Sequence, residues 1–247
     1  MDRARLTREM GLGPLWRLRT ARPGAVLPPM EEVAATVAAA PVVSVAQVAP
    51  VATVATAGVA QLGWEELGAA VAACRRCGLC EGRRQAVLGV GDTRADWLFV
   101  GEGPGAEEDA RGEPFVGQAG KLLDNMLAAI GLRRGADVYI ANAVKCRPPA
   151  NRTPEAEETA ACWPWLERQI ELIRPRLIVA LGRPAAQTLL QAEVKIGAAR
   201  GRLHRYRDIP VVVTYHPAYL LRNLPDKARA WEDLCFMRRT MAGLKAG

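Results

Sequence analysis

The sequence lacks a secretory signal and an uninterrupted apolar run of membrane-spanning length. Arg3, Arg5 and Arg8 stand near the start, but the apolar stretch of a signal peptide does not follow them. Region 23–63 is apolar on average, yet prolines interrupt it, and its alanines contribute too little transfer free energy to hold a span of ~20 residues in lipid. A cytoplasmic protein without membrane contact is therefore expected, with its six cysteines reduced rather than paired in disulfides.

Region 23–63 also has no aromatic residue and few large aliphatic ones. Because so little apolar surface would offset the ordering entropy, this region is predicted to be a disordered linker. Ahead of it, residues 1–22 form a basic segment in which Gly11, Gly13 and Pro14 interrupt any single helix. The segment could dock through Trp16 on an unidentified partner or on DNA, although a frayed tail is the favoured interpretation.

Acidic residues are the minority among the charged ones. The chain has 33 Lys and Arg against 26 Asp and Glu, which gives a formal net charge of +7. Such an excess favours a polyanionic partner, although charge alone also fits a basic protein without a nucleic-acid role. The length of 247 residues is enough for one ordinary domain plus an appendage, and residues 64–247 are predicted to be that domain.

From residue 64 onward, short apolar runs alternate with segments of helical periodicity. Strands are predicted at 96–100, 138–141, 177–181 and 211–214, and helices at 64–73, 119–130, 155–173, 185–190 and from about 226. This alternation predicts an α/β fold in which helices cover both faces of a parallel sheet. Such sheets bind ligands at the carboxyl ends of their strands.

Three polar residues stand at those strand ends. Glu102 lies in the loop Gly-Glu-Gly-Pro-Gly after the first predicted strand, Asn142 follows the second, and His216 follows the fourth. Each alone has an ordinary explanation, as a solvated loop acid, a turn cap or a core histidine. Together they favour a functional site at one edge of the sheet.

Four cysteines in two separated groups predict a metal centre. Cys74 and Cys77 form a Cys-x-x-Cys pair that can present two thiolates from one tight turn, and Cys146 with Cys162 would complete four ligands. An all-cysteine site can hold zinc or an iron-sulfur cluster, and the residues alone favour zinc. Cys80 is a candidate substitute ligand, because it lies three residues after Cys77.

Four longer motifs carry a family resemblance. They are GEGPGAEED at 101–109, GEPFVGQAG at 112–120, NAVKCRPPANRTP at 142–154 and HPAYLLRN at 216–223. From about residue 73 onward the chain resembles the family 4 uracil-DNA glycosylases, the iron-sulfur branch of the uracil-DNA glycosylase superfamily. The resemblance implies an α/β/α sandwich and a monomeric base-excision-repair enzyme. It would hydrolyse the N-glycosidic bond of uracil in single- or double-stranded DNA and leave an abasic site.

The resemblance also implies a cofactor. Cys74, Cys77, Cys146 and Cys162 match the ligands of a [4Fe-4S] cluster, whereas Cys80 and the remaining Cys235 match no ligand position. The cluster is expected to be structural and to fix the segment that carries Asn142. No residue in the sequence requires a redox role for the cluster.

Base recognition is implied for several residues at the predicted site. The target nucleotide must be flipped out of the DNA stack, at a cost of roughly a few kcal/mol. Phe115 matches the aromatic that stacks on the flipped base, Asn142 the amide that pairs with uracil, and His216 the donor to the uracil O2 as negative charge develops. Leu220 and Leu221 match the loop that fills the gap in the DNA. Arg222, Lys145 and Arg147 are expected to contact phosphates.

Water activation is where the chain departs from better-known uracil glycosylases. Gly103, assigned to the uracil pocket, replaces the Asp that they carry one residue after Glu102, and Gly105 replaces their thymine-excluding Tyr. Glu102 is therefore the first candidate for positioning water, and Glu108 is its rival. Glu108 is also a candidate for excluding thymine.

Two other functional classes fit part of the sequence. A zinc-containing nucleic-acid-binding module without catalysis would explain the charge and the cysteines, but not the placement of Glu102, Asn142 and His216. A covalently trapping relative of the glycosylases would need a basic, His-bearing insertion after the Asn142 segment. The chain proceeds directly through KCRPPANRTP instead.

Overall fold

The computed structural model describes residues 58–246. The predicted basic segment and most of the predicted linker, residues 1–57, lie outside the described residues. The strands are β1 Val90–Gly91, β2 Trp97–Gly101, β3 Val138–Asn142, β4 Leu177–Leu181, β5 Leu203–Tyr206 and β6 Ile209–Thr214. The helices are α1 Trp64–Ala72, α2 Leu79–Gly82, α3 Ala106–Arg111, α4 Gln118–Ala129, α5 Ala156–Ile173, α6 Arg183–Leu190, α7 Ile196–Ala199, α8 Pro217–Arg222 and α9 Asp226–Ala246, with 3-10 turns at Val59–Gln61 and Pro149–Asn151.

The six strands form one sheet in the order β1-β3-β2-β4-β6-β5. The four central strands are parallel, as predicted, but β1 and β5 pair antiparallel at the two edges. These two edge strands were not among the strands predicted from the sequence. The physical reason is that β1 has only two residues and β5 is largely exposed with polar side chains, so neither carries the apolar run of a buried strand.

Helices cover both faces of the sheet, which confirms the predicted sandwich. Phe99 of β2 packs on one face with apolar residues of α4 and α9, including Leu127 and Met237. Its neighbours on the strand face the other side and pack with α5 and α6. This alternation explains why the central strands are apolar throughout. Among the helices of residues 58–246, none is both long enough and apolar enough to cross a membrane.

A third apolar cluster joins the first helix to the cysteines. Val59, Leu67 and Val71 pack with Trp165 and with the segments that carry Cys146 and Cys162. Leu62 is fixed as well, because its carbonyl accepts a hydrogen bond of 2.8 Å from Arg168 Nε. Val59 and Leu62 are therefore packed on the domain near α5, although the predicted linker includes both residues.

Candidate active site and cysteine centre

The three polar residues at the strand ends share one cavity. Glu102, Asn142 and His216 line a cleft of about 450 Å³, together with Phe115 and Arg222. The register brings β2 and β3 together so that Gly101 stands beside Asn142. The proximity predicted from the parallel topology is thus present in the structure.

Asn142 is buried with an unused acceptor. Its side chain lies at the floor of the cleft, and Oδ1 has no hydrogen-bond partner among residues 58–246. A Cβ atom at Gly101 would overlap both Asn142 Oδ1 and the Phe115 ring. Glycine at 101 therefore allows the amide and the aromatic ring to close on each other. A buried acceptor without a partner costs about 1–3 kcal/mol, which a ligand N–H donor would recover.

Phe115 is held against the site in a strained conformation. Its φ of 54° lies in the left-handed region, which costs a non-glycine residue about 1 kcal/mol or more. Arg134 holds this turn, because its Nη1 donates to Pro114 O at 2.7 Å and its Nη2 donates to Phe115 O at 2.8 Å. The Phe115 ring centroid lies 5.5 Å from that of His216. A flat base could therefore stack where these two rings border the cleft.

His216 is held as a neutral donor. Its Nδ1 accepts a hydrogen bond of 3.1 Å from the backbone N–H of Ala218 and so caps α8. Burial, reinforced by the nearby charge of Arg222, lowers the pKa of His216 to about 4. A neutral imidazole that accepts at Nδ1 carries its proton on Nε2. Nε2–H is therefore the hydrogen-bond donor that this side chain can offer to a ligand.

Glu102 is a half-buried carboxylate on the wall of the cleft. Burial raises its pKa, although a hydrogen bond with Thr153 and the charge of Arg183 partly oppose that effect. A carboxylate with a raised pKa binds protons more readily than an exposed one. This property suits a group that orients or deprotonates water.

Glu108 has a different environment. Its Oε2 accepts from the backbone N–H of Gly105 at 3.1 Å, and its Oε1 accepts from Val116 at 2.9 Å and Gly117 at 3.1 Å. Both oxygens thus tie the start of α3 to the turn that carries Phe115. The interpretation of Glu108 as a rival for water activation does not fit these contacts. Its place on the cleft wall still suits the predicted role in excluding thymine.

The four predicted ligand cysteines line a second, smaller cavity. Cys74, Cys77, Cys146 and Cys162 border it, and so does Cys80. Arg83 Nη1 donates to Cys146 Sγ at 2.8 Å, and the backbone N–H of Lys145 donates to Cys162 Sγ at 3.2 Å. Burial raises the pKa of the Cys162 thiol to about 12, so a metal centre would have to displace its proton.

Trp165 borders the same cavity. Its indole is buried, and Nε1–H finds no hydrogen-bond acceptor in the part of the chain that the structure describes. The guanidinium of Arg76, which lies between Cys74 and Cys77 in the sequence, stacks over the indole 4.8 Å from its centroid. This contact fastens the first cysteine pair to α5, the helix that carries Cys162. Within residues 58–246, no three His, Cys, Asp or Glu side chains converge closely enough to hold a single metal ion, whereas the four thiolates of an iron-sulfur cluster each bind a different iron atom and stand farther apart.

Comparison with known proteins gives the family of this chain. A family model described as the uracil DNA glycosylase superfamily matches residues 88–235, which contain the cleft and two of the four predicted cysteine ligands. The chain belongs to the uracil-DNA glycosylase superfamily. It is similar to type-4 uracil-DNA glycosylases from several organisms. The Archaeoglobus fulgidus protein is 48% identical over 159 residues, 61% of this chain and 79% of the relative.

Two further relatives indicate the same family. The type-4 uracil-DNA glycosylase of Thermotoga maritima is 48% identical over 158 residues, which cover 63% of this chain and 82% of the relative. That of Pyrobaculum aerophilum is 44% identical over 170 residues, 65% of this chain and 86% of the relative. Within the superfamily, the chain is a member of the type-4 family.

The residues expected at the DNA interface of this glycosylase divide into two groups. Leu221 is 41% exposed and Arg222 is exposed at the mouth of the cleft. Leu220 is 1% exposed and packs in the core, so its predicted insertion into DNA does not fit the fold. Neighbouring residues of a helix point in different directions, so of these two leucines on α8 only Leu221 faces solvent.

Of the two predicted phosphate contacts at Lys145 and Arg147, the one at Lys145 needs revision. Lys145 is 1% exposed and its ammonium is engaged inside the domain, so it is not available to a phosphate. Arg147 is partly exposed, and its Nε donates to Asn151 Oδ1 at 2.7 Å. Asn151 itself lines the cleft. Arg147 therefore orients a cleft residue, and its remaining exposed surface is compatible with a phosphate contact.

Two glycines of the first motif have a steric reason. A Cβ at Gly103 would lie 2.8 Å from Val144 Cγ2, and one at Gly105 would lie 2.7 Å from Glu108 Oε2. Gly103 lies on the cleft wall, as expected for its assignment to the uracil pocket. The two glycines that replace the Asp and the Tyr of better-known uracil glycosylases thus leave room for Val144 and Glu108 to pack against the motif.

Sequence reasoning missed several residues that support the two sites. Arg83 and Arg134 donate to backbone carbonyls in other segments of the chain, and Trp165 borders the cysteine cavity. No local pattern marks the two arginines, because the fold brings their partners near. The tryptophan had one available signal, since it lies three residues after Cys162 and so near the same side of a helix.

Proposed function

We propose that this protein flips uracil out of DNA and hydrolyses its N-glycosidic bond, leaving an abasic site. One observation carries the proposal within the family: the buried Asn142 Oδ1, without a partner in residues 58–246, lies in a cleft with Phe115 and the neutral His216. A buried unpaired acceptor disfavours the empty cleft and rewards a ligand with a matching donor.

Base selection follows from the amide. The Asn142 oxygen can accept from uracil N3–H while the amide nitrogen donates to O4. Cytosine presents an acceptor at N3 and a donor at the neighbouring position, so it would leave two buried polar groups unpaired. A site built to pair with such groups rejects the wrong analogue strongly. Phe115 would stack on the flipped base from the turn that Arg134 and Glu108 fix.

Bond cleavage depends on stabilising charge in the transition state. As the glycosidic bond breaks, negative charge develops on the leaving uracil and positive charge on the sugar. We assign His216 Nε2–H to the uracil O2, where a fixed neutral donor stabilises that negative charge. Glu102 is assigned to orienting the attacking water and to stabilising the sugar cation.

DNA binding is assigned to the outer end of α8. Leu221 would fill the space that the flipped nucleotide leaves, since it is the exposed leucine of the pair. Arg222 would contact a neighbouring phosphate from the mouth of the cleft. The formal charge of +7 supports association with either single-stranded or duplex DNA.

We propose that Cys74, Cys77, Cys146 and Cys162 hold a [4Fe-4S] cluster. The donor set fits, because four thiols border one cavity and two of them already accept N–H hydrogen bonds. The indole N–H of Trp165, which finds no acceptor among residues 58–246, supports a sulfur-containing group there, since cluster sulfurs would supply an acceptor. When bound, the cluster would supply a rigid link between the first cysteine turn and the segment that follows Asn142. Cys80 borders the cavity but stays outside the proposed ligand set.

The remaining expectations are proposals of the same kind. The protein is proposed to act as a monomer in the cytoplasm, where cysteine thiols are kept reduced. A docking role for the segment 1–22 stays a prediction. The alternative of a non-catalytic zinc module is not supported by the family membership.

The decisive experiment measures base release. Purified protein is incubated with oligonucleotides that carry one uracil, single-stranded and duplex, and matched substrates carry cytosine or thymine instead. Free uracil and an alkali-labile site are expected only with the uracil substrates, without a stable protein-DNA adduct. Asn142→Leu, which removes both amide groups at similar volume, should abolish release. If the wild-type protein releases no uracil, the proposal is wrong, and a stable adduct would assign it to the covalently trapping class.

A further inference from the structure

Lys145 is a buried cation between the two sites. Its side chain is 1% exposed, and its Nζ donates to the backbone carbonyl of Asn142 at 2.8 Å and to Gln169 Oε1 at 2.5 Å. Both acceptors are neutral. Burial of an ammonium is costly unless opposite charge compensates it, and these contacts supply none.

The cysteine centre can supply the compensating charge once its thiols are ionised as cluster ligands. Lys145 borders the cavity of the proposed cluster and directly precedes Cys146 in the chain. Its backbone N–H also donates to Cys162 Sγ. Four thiolates around an oxidised cluster leave a net negative charge, so Lys145 and the Arg83 guanidinium would balance it from two sides.

Gln169 fixes the other side of the ammonium. This side chain is fully buried, and its Nε2 donates to Leu88 O at 2.9 Å and to the Tyr139 hydroxyl oxygen at 3.2 Å. These two contacts orient Oε1 toward Lys145. Tyr139 belongs to β3, the strand that ends at Asn142. The polar network thus connects the cysteine cavity with Asn142, the residue that is assigned to uracil recognition.

We propose that Lys145 is a positioning residue that couples the cysteine centre to uracil recognition. Its ammonium is held by the negative charge of the centre and in turn holds the Asn142 carbonyl, which keeps the Asn142 amide oriented into the cleft. The inference rests on the proposed cluster and on the proposed role of Asn142. The cluster then has a specific role, because it holds the cation that orients the base-reading strand end.

The test compares Lys145→Met, which keeps chain length but removes the charge and its donors, with Lys121→Met on the exposed face of α4. Four quantities are measured on full-length protein: iron and sulfide content, cluster reduction potential, single-turnover uracil release and DNA affinity. For Lys145→Met we expect release slowed roughly tenfold or more, DNA affinity unchanged and a more negative potential, because a cation near the electron-accepting centre is lost. Lys121→Met should match the wild type in all four.

Gln169→Met separates orientation from charge. It removes the acceptor that fixes Lys145 but retains the cation, so uracil release should slow while the potential stays near that of the wild type. This variant also decides the question if Lys145→Met loses its cluster or does not fold. Wild-type release by Gln169→Met would then overturn the proposal.

The outcomes distinguish this inference from the proposed function. Wild-type protein without iron, or without uracil release, would contradict the cluster or the activity itself. If the wild type has both, and Lys145→Met keeps the wild-type release rate and potential at full iron content, the coupling role of Lys145 is wrong while the proposed function stands.

Discussion

Gly101 and Asn142 stand side by side where β2 and β3 end, and the space beside Gly101 is filled by the Asn142 amide oxygen and the Phe115 ring. The pair explains why the Asn142 amide can lie at the floor of the cleft. A strand end with any other residue would push the amide and the ring apart. If Asn142 reads uracil as proposed, recognition of the base depends on a residue that has no side chain.

Gly101→Ala is therefore expected to impair uracil release severely. The new methyl group would displace Asn142 Oδ1 or the Phe115 ring, and overpacking of this kind costs about 1–3 kcal/mol. Single-turnover release should fall by roughly tenfold or more, whereas DNA affinity should change little. Gly197→Ala is the control, because a Cβ there meets no atom within 4 Å. Equal rates for the two variants would show that the close approach does not matter.

The pH dependence of release should follow Glu102. Burial raises the pKa of this carboxyl, and its proposed role requires the ionised form. The rate should therefore fall as the pH is lowered, beginning above the pH at which an exposed carboxyl titrates. His216 should not contribute at this stage, because its pKa of about 4 keeps it neutral.

Glu102→Gln provides the check on that assignment. Its single-turnover rate should be lower and should lack the acidic decline that the wild type shows. A decline of the same shape in Glu102→Gln would assign the titration to another group. A midpoint in the wild type near that of free histidine would contradict the neutral state of His216.

The cysteine assignment predicts a contrast between Cys146 and Cys235. Cys146→Ser should lose iron and thermal stability together, because the cluster would join three chain segments and its binding free energy contributes to folding. Cys235→Ser should keep both, since Cys235 lies on α9 and does not border the cysteine cavity. Iron content and melting temperature measure the two effects. Full iron content in Cys146→Ser would refute the ligand set.

The glycosylase domain should not need residues 1–57. Val59 is buried in the cluster with α1 and Trp165, so the packed part of the chain includes residues before Trp64. A chain that begins at Gly58 should retain uracil release and stability. A chain that begins at Trp64 should lose roughly 1–3 kcal/mol of unfolding free energy, because Val59 and the Leu62 contact are removed. Loss of activity in the chain that begins at Gly58 would show that residues 1–57 belong to the enzyme.

Much of the site could be predicted because its polar residues directly follow the predicted strands. Glu102, Asn142 and His216 were found from apolar runs that end in polar residues, and the parallel topology then brings them together. The errors concern side-chain direction. Lys145 and Leu220 carry the residue types of a DNA interface, but both side chains turn inward. Residue type and position in the motif did not show that these two side chains point into the domain.

The roles of the two glutamates show a second limit. Glu102 and Glu108 are equivalent by residue type and lie in one motif, so the sequence left both as candidates for water activation. The difference arises from the turn at 115–117, whose backbone N–H groups donate hydrogen bonds to the Glu108 carboxylate. Val116 lies only eight residues after Glu108, but the left-handed position of the turn is Phe115 and not a glycine, so no residue type there indicates how the chain turns back. The edge strands were missed for a related reason, because a short or polar strand has no apolar run.

The last prediction separates catalysis from DNA binding. His216→Ala should lower single-turnover release by roughly 10²–10³, because His216 would act on charge that exists only in the transition state, while affinity for uracil-containing DNA stays nearly intact. Arg222→Ala should do the reverse, weakening binding and flattening its salt dependence, since a phosphate contact releases counterions whatever the base. His204→Ala serves as the control, because His204 is the other histidine of the chain and its ring bonds to Ala199 O outside the cleft. Equal losses of binding and catalysis in His216→Ala, or an unchanged salt dependence in Arg222→Ala, would refute this division of roles.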